Sequence, residues 1–359
     1  MRFKYLLLFL LLVSGVSCRP QGVVIKPHDT HIHYMGRVVM QDEAAELSWS
    51  GTSLKINFKG TGIKATLKDE YGNNYFNVIV DDKVVAIIHP DNTQSEYTLA
   101  SGLANTNHSL ELFKRTEWAM GKTWFYQFAL DQNAIMLPPP TVKKHKMEFF
   151  GNSISCGYAV EDSSGKDRGT APYENGYLSY AALTARHFDA EFHNTSRSGI
   201  GIMVSWDPLI MPELYYRADA TDGESHWDFS KYIPDIVVIN LFQNDCWITK
   251  LPDNNQFKAR FGTKAPTDDQ IIKAYKDFVK TIRGKYPKAQ IICVLGNMDI
   301  TKEGSPWPGY VEKAVAEIGD KNIYAHIFPY KNTPGHPNIK EQQAMANDLI
   351  AFIDGHIKW

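Results

Sequence analysis

The chain has 359 residues, enough for two domains at roughly 100–200 residues each. Its formal net charge of -2 leaves no basic surplus of the kind that marks a nucleic-acid binder. A hydrophobic content of 43% with 12% aromatic residues fits a globular protein and excludes a disordered or collagen-like chain.

The first stretch, "MRFKYLLLFLLLVSGVSC", is read as a targeting segment over residues 1–18 rather than as fold. Arg2 and Lys4 precede an apolar run from Tyr5 to Val13, and small residues follow before Cys18. The run falls short of the roughly 20 residues that span a bilayer. Cys18 has two readings. It can be the lipidated cysteine of a bacterial lipoprotein, although the usual Leu three places upstream is missing. Alternatively, Gly15-Val16-Ser17 is a small-x-small site for ordinary signal peptidase. The expected product is an exported protein: a periplasmic or outer-membrane-anchored lipoprotein, or a freely secreted one. Its only expected membrane attachment is a lipid at Cys18. The remaining cysteines, Cys156, Cys246 and Cys293, are odd in number and imply no disulfide framework. Cys293 sits in the apolar run "QIICVLG" and reads as a buried hydrophobe.

Residues 20–137 read as all-β. "TSLKINFKG" alternates Leu54, Ile56 and Phe58 against polar neighbours, "TGIKATLKD" alternates Ile63, Ala65 and Leu67, and "HSLELFKRTE" alternates Leu110 and Leu112. "YFNVIVDDKVVAIIHP" reads as a hairpin about Asp81-Asp82. Short strands at even spacing, separated by Gly, Asn and Asp, predict a β-sandwich or jelly roll. "LPPPTVKK" then interrupts the pattern, because prolines cannot join a ladder; residues 138–146 are read as a linker. From 147 to 359 apolar strands alternate with helical patterns: "MEFFG", "EFHNTS", "DIVVINLF", "AQIICVLG" and "IYAHIF". Thr267 with Gln270 forms a capping box, and Ile271, Ile272, Tyr275, Phe278, Val279 and Ile282 then share one helical face. Asn338 with Glu341 opens the final helix. Alternating βα units predict an α/β domain: a three-layer parallel sheet of flavodoxin-like type, with helices on both faces.

Ligands of such sheets bind at the carboxyl ends of the strands. "FFGNSISCGYAV" puts Ser153 there, after the first α/β strand. A serine at that place either caps the next helix or serves as a nucleophile. Other segments reach the same edge. "NTSRSGIG" brings Gly199, "NLFQNDCW" brings Asn244, and "NTPGHPN" brings His336. Acyl transfer needs a base to take the serine proton and preorganised donors for the oxyanion. His336 is the candidate base; the Ser153 and Gly199 amides and the Asn244 side chain are the candidate donors.

"GNSIS", "SGIG", "QND" and "GHPN" follow the order of the conserved blocks of the SGNH (GDSL-like) hydrolases, which the second domain resembles. The first domain is similar to the jelly roll of carbohydrate esterase family 2, on "GRV" at Arg37, "WSGTSLKINFKGTGI" and "HSLELFKRTEW". The resemblance implies a secreted O-deacetylase acting on acetylated plant polysaccharides, such as xylan or glucomannan, or their oligosaccharides. It implies Ser153 and His336 as the catalytic pair with Gly199 and Asn244 completing the oxyanion hole, and it implies no cofactor. Two alternatives stay open: a non-catalytic glycan-binding protein, and an SGNH lipid esterase or thioesterase.

This sequence departs from the family blocks in places. Asn152 stands where Asp is usual. Phe242 stands where Gly is usual and is expected to narrow the pocket beside Asn244. Thr333 stands where many relatives place the triad acid, three residues before the histidine. The expectation is therefore a Ser153–His336 dyad, with a backbone carbonyl holding Nδ1 and no carboxylate touching the ring. Asp245 reads as structural. Trp247 and Trp307 are expected at the rim, where each is a candidate for stacking on a sugar ring and equally a candidate for packing. His28, His31 and His33 look like a metal cluster but lack a distant partner set, so solvated strand residues are the preferred reading and no metal is expected.

Overall fold

A computed structural model describes residues 22–359; the targeting segment and Cys18 lie outside the described residues. The first domain is a sandwich of two antiparallel sheets. One runs in the order Val38–Met40, Ala45–Leu47, Thr123–Leu130, Ile63–Asp69, Ser95–Ala100, with Val24–Ile25 added on Thr123–Leu130. The other runs Ile135–Met136, Ser53–Gly60, Thr106–Lys114, Phe76–Val80, Lys83–Ile88, with His33–Met35 pairing Ser53–Gly60. The period-2 pattern has its expected outcome. Leu54, Ile56 and Phe58 face Ile63, Ala65, Leu67, Phe125 and Phe128 across one dry core. Asp81 and Asp82 both take positive φ, 50° and 63°, as a two-residue hairpin turn requires.

The second domain carries a five-stranded parallel sheet in the order Ala190–Ser196, His145–Gly151, Ile236–Asn240, Gln290–Leu295, Ile323–Ile327. Its first strand begins inside the stretch read as linker. Helices Asp268–Lys285 and Trp307–Ile318 cover one face, and Tyr180–His187 and Ile339–His356 cover the other. Thr267 and Asn338 cap their helices with the reciprocal boxes expected of them, and the six apolar residues of the first box's helix are all buried. The strand order places its switch point at His145–Gly151, between the second and third strands of the chain order. Ser153 leaves the sheet there, at the crevice where doubly wound sheets bind ligands.

The domains meet through charge as well as apolar surface. Trp49 of the sandwich packs into the core of the second domain and donates Nε1 to the Ala218 carbonyl at 2.8 Å. Arg37 is buried beside Trp49, Phe150, Trp227 and Phe229. It pairs with Glu148 at 2.8 Å and donates to the carbonyls of Tyr215 and Arg217 at 2.6 and 2.7 Å. The Arg37–Glu148 pair is almost wholly out of water, with 1% and 0% side-chain exposure. Removing either partner alone would leave a buried charge unpaired, at a cost of about 3–5 kcal/mol.

The histidines near the N-terminus have separate partners. His28 Nε2 bonds the Gln41 carbonyl at 2.8 Å, His31 Nδ1 bonds Asp29 at 2.6 Å, and His33 bonds Glu191 at 3.1 Å. Cys156, Cys246 and Cys293 are buried free thiols. Among the described residues no helix is long and apolar enough to cross a membrane.

Candidate active site

Asn152 accepts the Ile154 N–H on its side-chain oxygen and is the cap of the short helix Ser153–Cys156. That frees the neighbouring serine from capping. The Ser153 hydroxyl instead points at His336 and donates to Nε2 at 2.9 Å. Ser153 is buried to within 6% of its surface, so the pair stands in a shielded setting.

The far side of the imidazole corrects the expected dyad. Asp167, in the loop after the serine helix, stands 2.9 and 3.0 Å from His336 Nδ1 with its two oxygens and accepts the His336 backbone N–H at 2.8 Å. A protonated Nδ1 therefore donates to a carboxylate, which leaves Nε2 free to accept the serine proton. Burial is the largest influence on Asp167 and raises its pKa. The hydrogen bonds and charge of His336 outweigh it and hold the carboxyl below the usual aspartate value. The side chain of Tyr158 packs on the imidazole, with ring centres 4.4 Å apart.

Two local devices bring Asp167 to the histidine. Asp162 folds the loop by accepting from the Ser164 and Arg168 backbone N–H groups at 3.0 and 2.8 Å and from the Arg168 guanidinium at 2.7 and 3.1 Å. Asp167 itself takes φ 56°, and it lies where a side chain at Gly335 would be: an added Cβ there would meet the Asp167 carboxyl carbon at 3.0 Å. The glycine of the "GHPN" block thus makes room for the acid.

Thr333 does not touch His336. Its hydroxyl accepts from Lys331 Nζ at 2.7 Å and donates to Glu341, which also caps the final helix through the Asn338 N–H. Lys331 further binds the Thr333 and Pro334 carbonyls at 2.8 and 3.1 Å. The position that usually carries the acid serves here to hold the histidine turn.

On the other side of Ser153, Gly199 takes φ 79° in a turn closed by Ile200 N–H on the Arg197 carbonyl at 3.4 Å. Its carbonyl accepts the Trp206 N–H at 3.0 Å. Asn244 is held at both ends of its amide. Its oxygen accepts Trp206 Nε1 at 3.0 Å, and its nitrogen donates to the Ile200 carbonyl at 2.8 Å. An amide nitrogen has two protons, so one remains for a ligand. Asp245 is structural: it accepts the N–H groups of Ile202, Met203 and Val204 at 2.7–3.1 Å and ties their loop to helix Gln243–Ile248.

The tryptophans separate. Trp247 is partly exposed and its Nε1 is fixed by Asp299 at 2.8 and 2.9 Å. Trp307 is only 3% exposed and belongs to the core, against Phe242 and Tyr310, which corrects its expected place at the rim. The face it shares with Val311 and Ala314 is the buried face of its helix, a spacing legible in advance. Phe242 also differs from expectation. It adopts φ 79°, the glycine-like conformation of its block, but its ring lies 4.8 Å from Tyr275 and 5.0 Å from Trp307 in the core rather than in the pocket. Strain of about 1–2 kcal/mol for a left-handed L-residue is offset by about 1.5–3 kcal/mol from burying the ring. Trp206, which the sequence reading passed over, is 46% exposed beside Gly199 and Asn244.

Residues 34–140 match the family model described as carbohydrate esterase 2 N-terminal, and residues 149–338 match the GDSL-like lipase/acylhydrolase family. The cellulase/esterase CelE of Acetivibrio thermocellus is 33% identical over 91% of this chain, which spans 40% of that relative's length. An acetylxylan esterase / glucomannan deacetylase of Cellvibrio japonicus is 25% identical, over 93% of this chain and 91% of the other. The structure of a family two carbohydrate esterase from Clostridium thermocellum in complex with cellohexaose is similar with a TM-score of 0.80 and 34% identity, covering 90% of this chain and 98% of that one. An active-site mutant of such an esterase from the same organism matches at TM-score 0.82 and 32% identity, over 91% of this chain and 99% of the other. With both domains matched in order and the hydrolase blocks at one sheet edge, the chain belongs to carbohydrate esterase family 2, a family of carboxylic ester hydrolases of the GDSL-like type.

Proposed function

We propose that this protein removes O-acetyl groups from plant polysaccharides such as xylan or glucomannan, or from their oligosaccharides, by serine acyl transfer. The observation that carries the reading is the continuous hydrogen-bonded line Ser153–His336–Asp167. Ser153 Oγ attacks the acetyl carbonyl while His336 Nε2 takes its proton, and Asp167 stabilises the imidazolium that forms. The Ser153 and Gly199 amides and the second Asn244 amide proton meet the charge on the former carbonyl oxygen. As the intermediate collapses and the acyl carbon–oxygen bond to the sugar breaks, the imidazolium gives its proton to the departing sugar oxygen, which leaves as a hydroxyl. Water then attacks the acetyl-serine by the same route and releases acetate. The triad assigned here replaces the dyad expected from Thr333. Trp206, beside Gly199 and Asn244, and Trp247, partly exposed on the helix that carries Asn244, are proposed to stack on sugar rings. The acetylxylan esterase / glucomannan deacetylase activity named for the Cellvibrio relative and the cellohexaose complex of the Clostridium enzyme support a carbohydrate substrate. An intact proton-relay geometry favours an esterase over a purely glycan-binding protein. Export, with or without a lipid on Cys18, is part of the same proposal.

The test is acetate release from acetylated xylan and acetylated glucomannan by the full chain, set against release from a long-chain ester. Turnover of the acetylated polysaccharides that Ser153→Ala abolishes without changing the melting temperature supports the reading. A preference for the long-chain ester, or activity that survives Ser153→Ala, overturns it.

A further inference from the structure

The oxyanion side of the site is gripped from the other domain. Glu117 belongs to the sandwich, in the segment between strand Thr106–Lys114 and the short helical turn Trp118–Met120. It reaches into the second domain and accepts the Ser198 backbone N–H at 2.7 Å. Ser198 immediately precedes Gly199. The turn Arg197–Ile200 has Gly199 in its third place with φ 79°, the conformation of a type II turn. A type I turn of the same four residues would need φ near -90° at Gly199 and would rotate the Ser198–Gly199 peptide by about half a turn. That rotation would put the Ser198 carbonyl where the Gly199 N–H had been. Gly199 at this place keeps the donor facing the developing charge, and the leading peptide Arg197–Ser198 sets where the whole turn stands.

Glu117 is built into that place rather than lying across it by chance. It is 1% exposed. The Cys156 thiol, on the helix that begins with Ser153, lies against the same carboxylate, and burial and the nearby acids push that thiol well up. Glu117 thus bonds the oxyanion turn and lies beside the nucleophile helix. Its own backbone N–H donates to Glu174 at 3.3 Å, and Lys114 Nζ bonds the Thr116 carbonyl at 2.7 Å behind it. The next residue, Trp118, carries the Arg197 guanidinium 3.5 Å above its ring, and Arg197 pairs with Asp207 at 3.0 Å. The turn is held from below by the sandwich and from above by the Trp206 N–H on the Gly199 carbonyl.

We infer that Glu117 is a positioning residue for the reaction: by holding the Arg197–Ser198 peptide at the entry of the turn it sets how far the Gly199 N–H stands from the oxyanion, and it places the turn against the serine helix. The sandwich domain is then part of the catalytic apparatus and not only an attachment. The inference rests on Gly199 acting as an oxyanion donor, as proposed above.

The experiment uses the full chain and p-nitrophenyl acetate, whose turnover does not depend on which polysaccharide is the natural substrate. Failure of the sugar assignment and failure of this inference therefore remain separate results. Three quantities are measured for wild type, Glu117→Ala and Glu117→Gln: kcat, KM, and the inhibition constant of phenylboronic acid, which adds to the serine as a tetrahedral anion. Glu117→Ala is expected to lower kcat about 10²-fold, the scale of a misplacement by an ångström, with KM within about threefold. Boronate affinity should fall by a similar factor, since both read the oxyanion. Glu117→Gln keeps an oxygen for the Ser198 N–H and is expected to restore most of kcat. If Glu117→Ala does not fold, Glu117→Asp carries the test, because it keeps the charge and withdraws the oxygen from Ser198; kcat should fall there too. A kcat within about threefold of wild type in Glu117→Ala, or in Glu117→Asp where the alanine variant does not fold, overturns the inference. So does a loss confined to KM, or a glutamine variant no better than alanine.

Discussion

On one side of Ser153 the imidazole is held by two surface loops, one with Asp162 and Asp167 and one with Lys331, Thr333 and Gly335. On the other side Gly199 and Asn244 stand on buried backbone: Ile200, Ile202, Val204, Ser205, Asn244 and Asp245 are all 3% exposed or less. The first side depends on side-chain bonds between loops far apart in the chain. The second depends on backbone fixed by a buried carboxylate at each end, Glu117 and Asp245. The same serine is thus flanked by one adjustable partner and one rigid one. Substitutions should divide accordingly, with proton transfer failing on the first side and transition-state stabilisation failing on the second.

The largest separation is expected at Asp167. Asp167→Asn removes the carboxylate from His336 Nδ1 and lets the ring take the wrong tautomer, a change that cost about 10⁴ in the serine protease reference case. A loss in kcat of about 10³- to 10⁴-fold is expected, with little change in KM. Kinetics within tenfold of wild type would mean that the serine and histidine work as a dyad after all. Because the folded Asp167 pKa lies below its ordinary 3.8, the sign of its linkage is that of a stabilising acid. Its contribution is full above about pH 4 and is lost only as pH falls through the lower folded value.

Asn244→Ala comes next. An oxyanion donor acts mainly in the transition state, so kcat should fall about 10²- to 10³-fold while KM stays near wild type. A raised KM with normal kcat would make Asn244 a substrate-binding residue and remove the contrast between the sides.

How far each side was legible in the sequence follows from the same contrast. Ser153 and Asn244 follow strands with clear apolar runs, Gly199 follows the short, mostly polar strand read at "EFHNTS", and the sheet-edge rule collects the three at one place. The strands, the two capping boxes and the alternation of the sandwich were legible for the same reason: period and cap chemistry are local. Asp167 was not. It lies 14 residues past Ser153 in "SSGKDRGT", with no periodicity, and reaches His336 only through the Asp162 bonds and the space at Gly335. Glu117 was equally hidden, since nothing in "KRTEW" indicates that its carboxylate crosses to another domain. Trp307 was misplaced because a tryptophan near a site edge was weighed by residue type and not by the face it shares with Val311 and Ala314.

The rigid side also has a predicted alkaline signature. Burial pulls the Lys114 pKa down to about 8, against the pull of Asp69, Glu174 and Glu117. The unfolded chain keeps this proton up to about 10.5, so between about pH 8 and 10.5 it binds more protons than the folded chain. Stability from this group therefore rises with pH across that window. Compared with Lys114→Met, the wild-type melting temperature should improve as pH is raised from 8 toward 10.5. A difference between the two proteins that stays flat over the window would show that Lys114 does not titrate there.

The smallest effect is expected at Thr333, the place where the acid usually stands. Thr333→Ala removes one acceptor for Lys331 and one donor to Glu341. Lys331 keeps the Thr333 and Pro334 carbonyls, and Glu341 still caps the final helix through Asn338 N–H at 2.8 Å. The histidine turn therefore stays closed, and Asp167 still holds the ring. A hydrogen bond of this kind contributes about 0.5–1.5 kcal/mol net, so a fall of a few degrees in melting temperature is expected, with kcat within about threefold. If Thr333→Ala instead costs kcat 10²-fold or more while Asp167→Asn is mild, the orienting role lies with the turn and its lysine, and the imidazole side is as much a backbone construction as the oxyanion side.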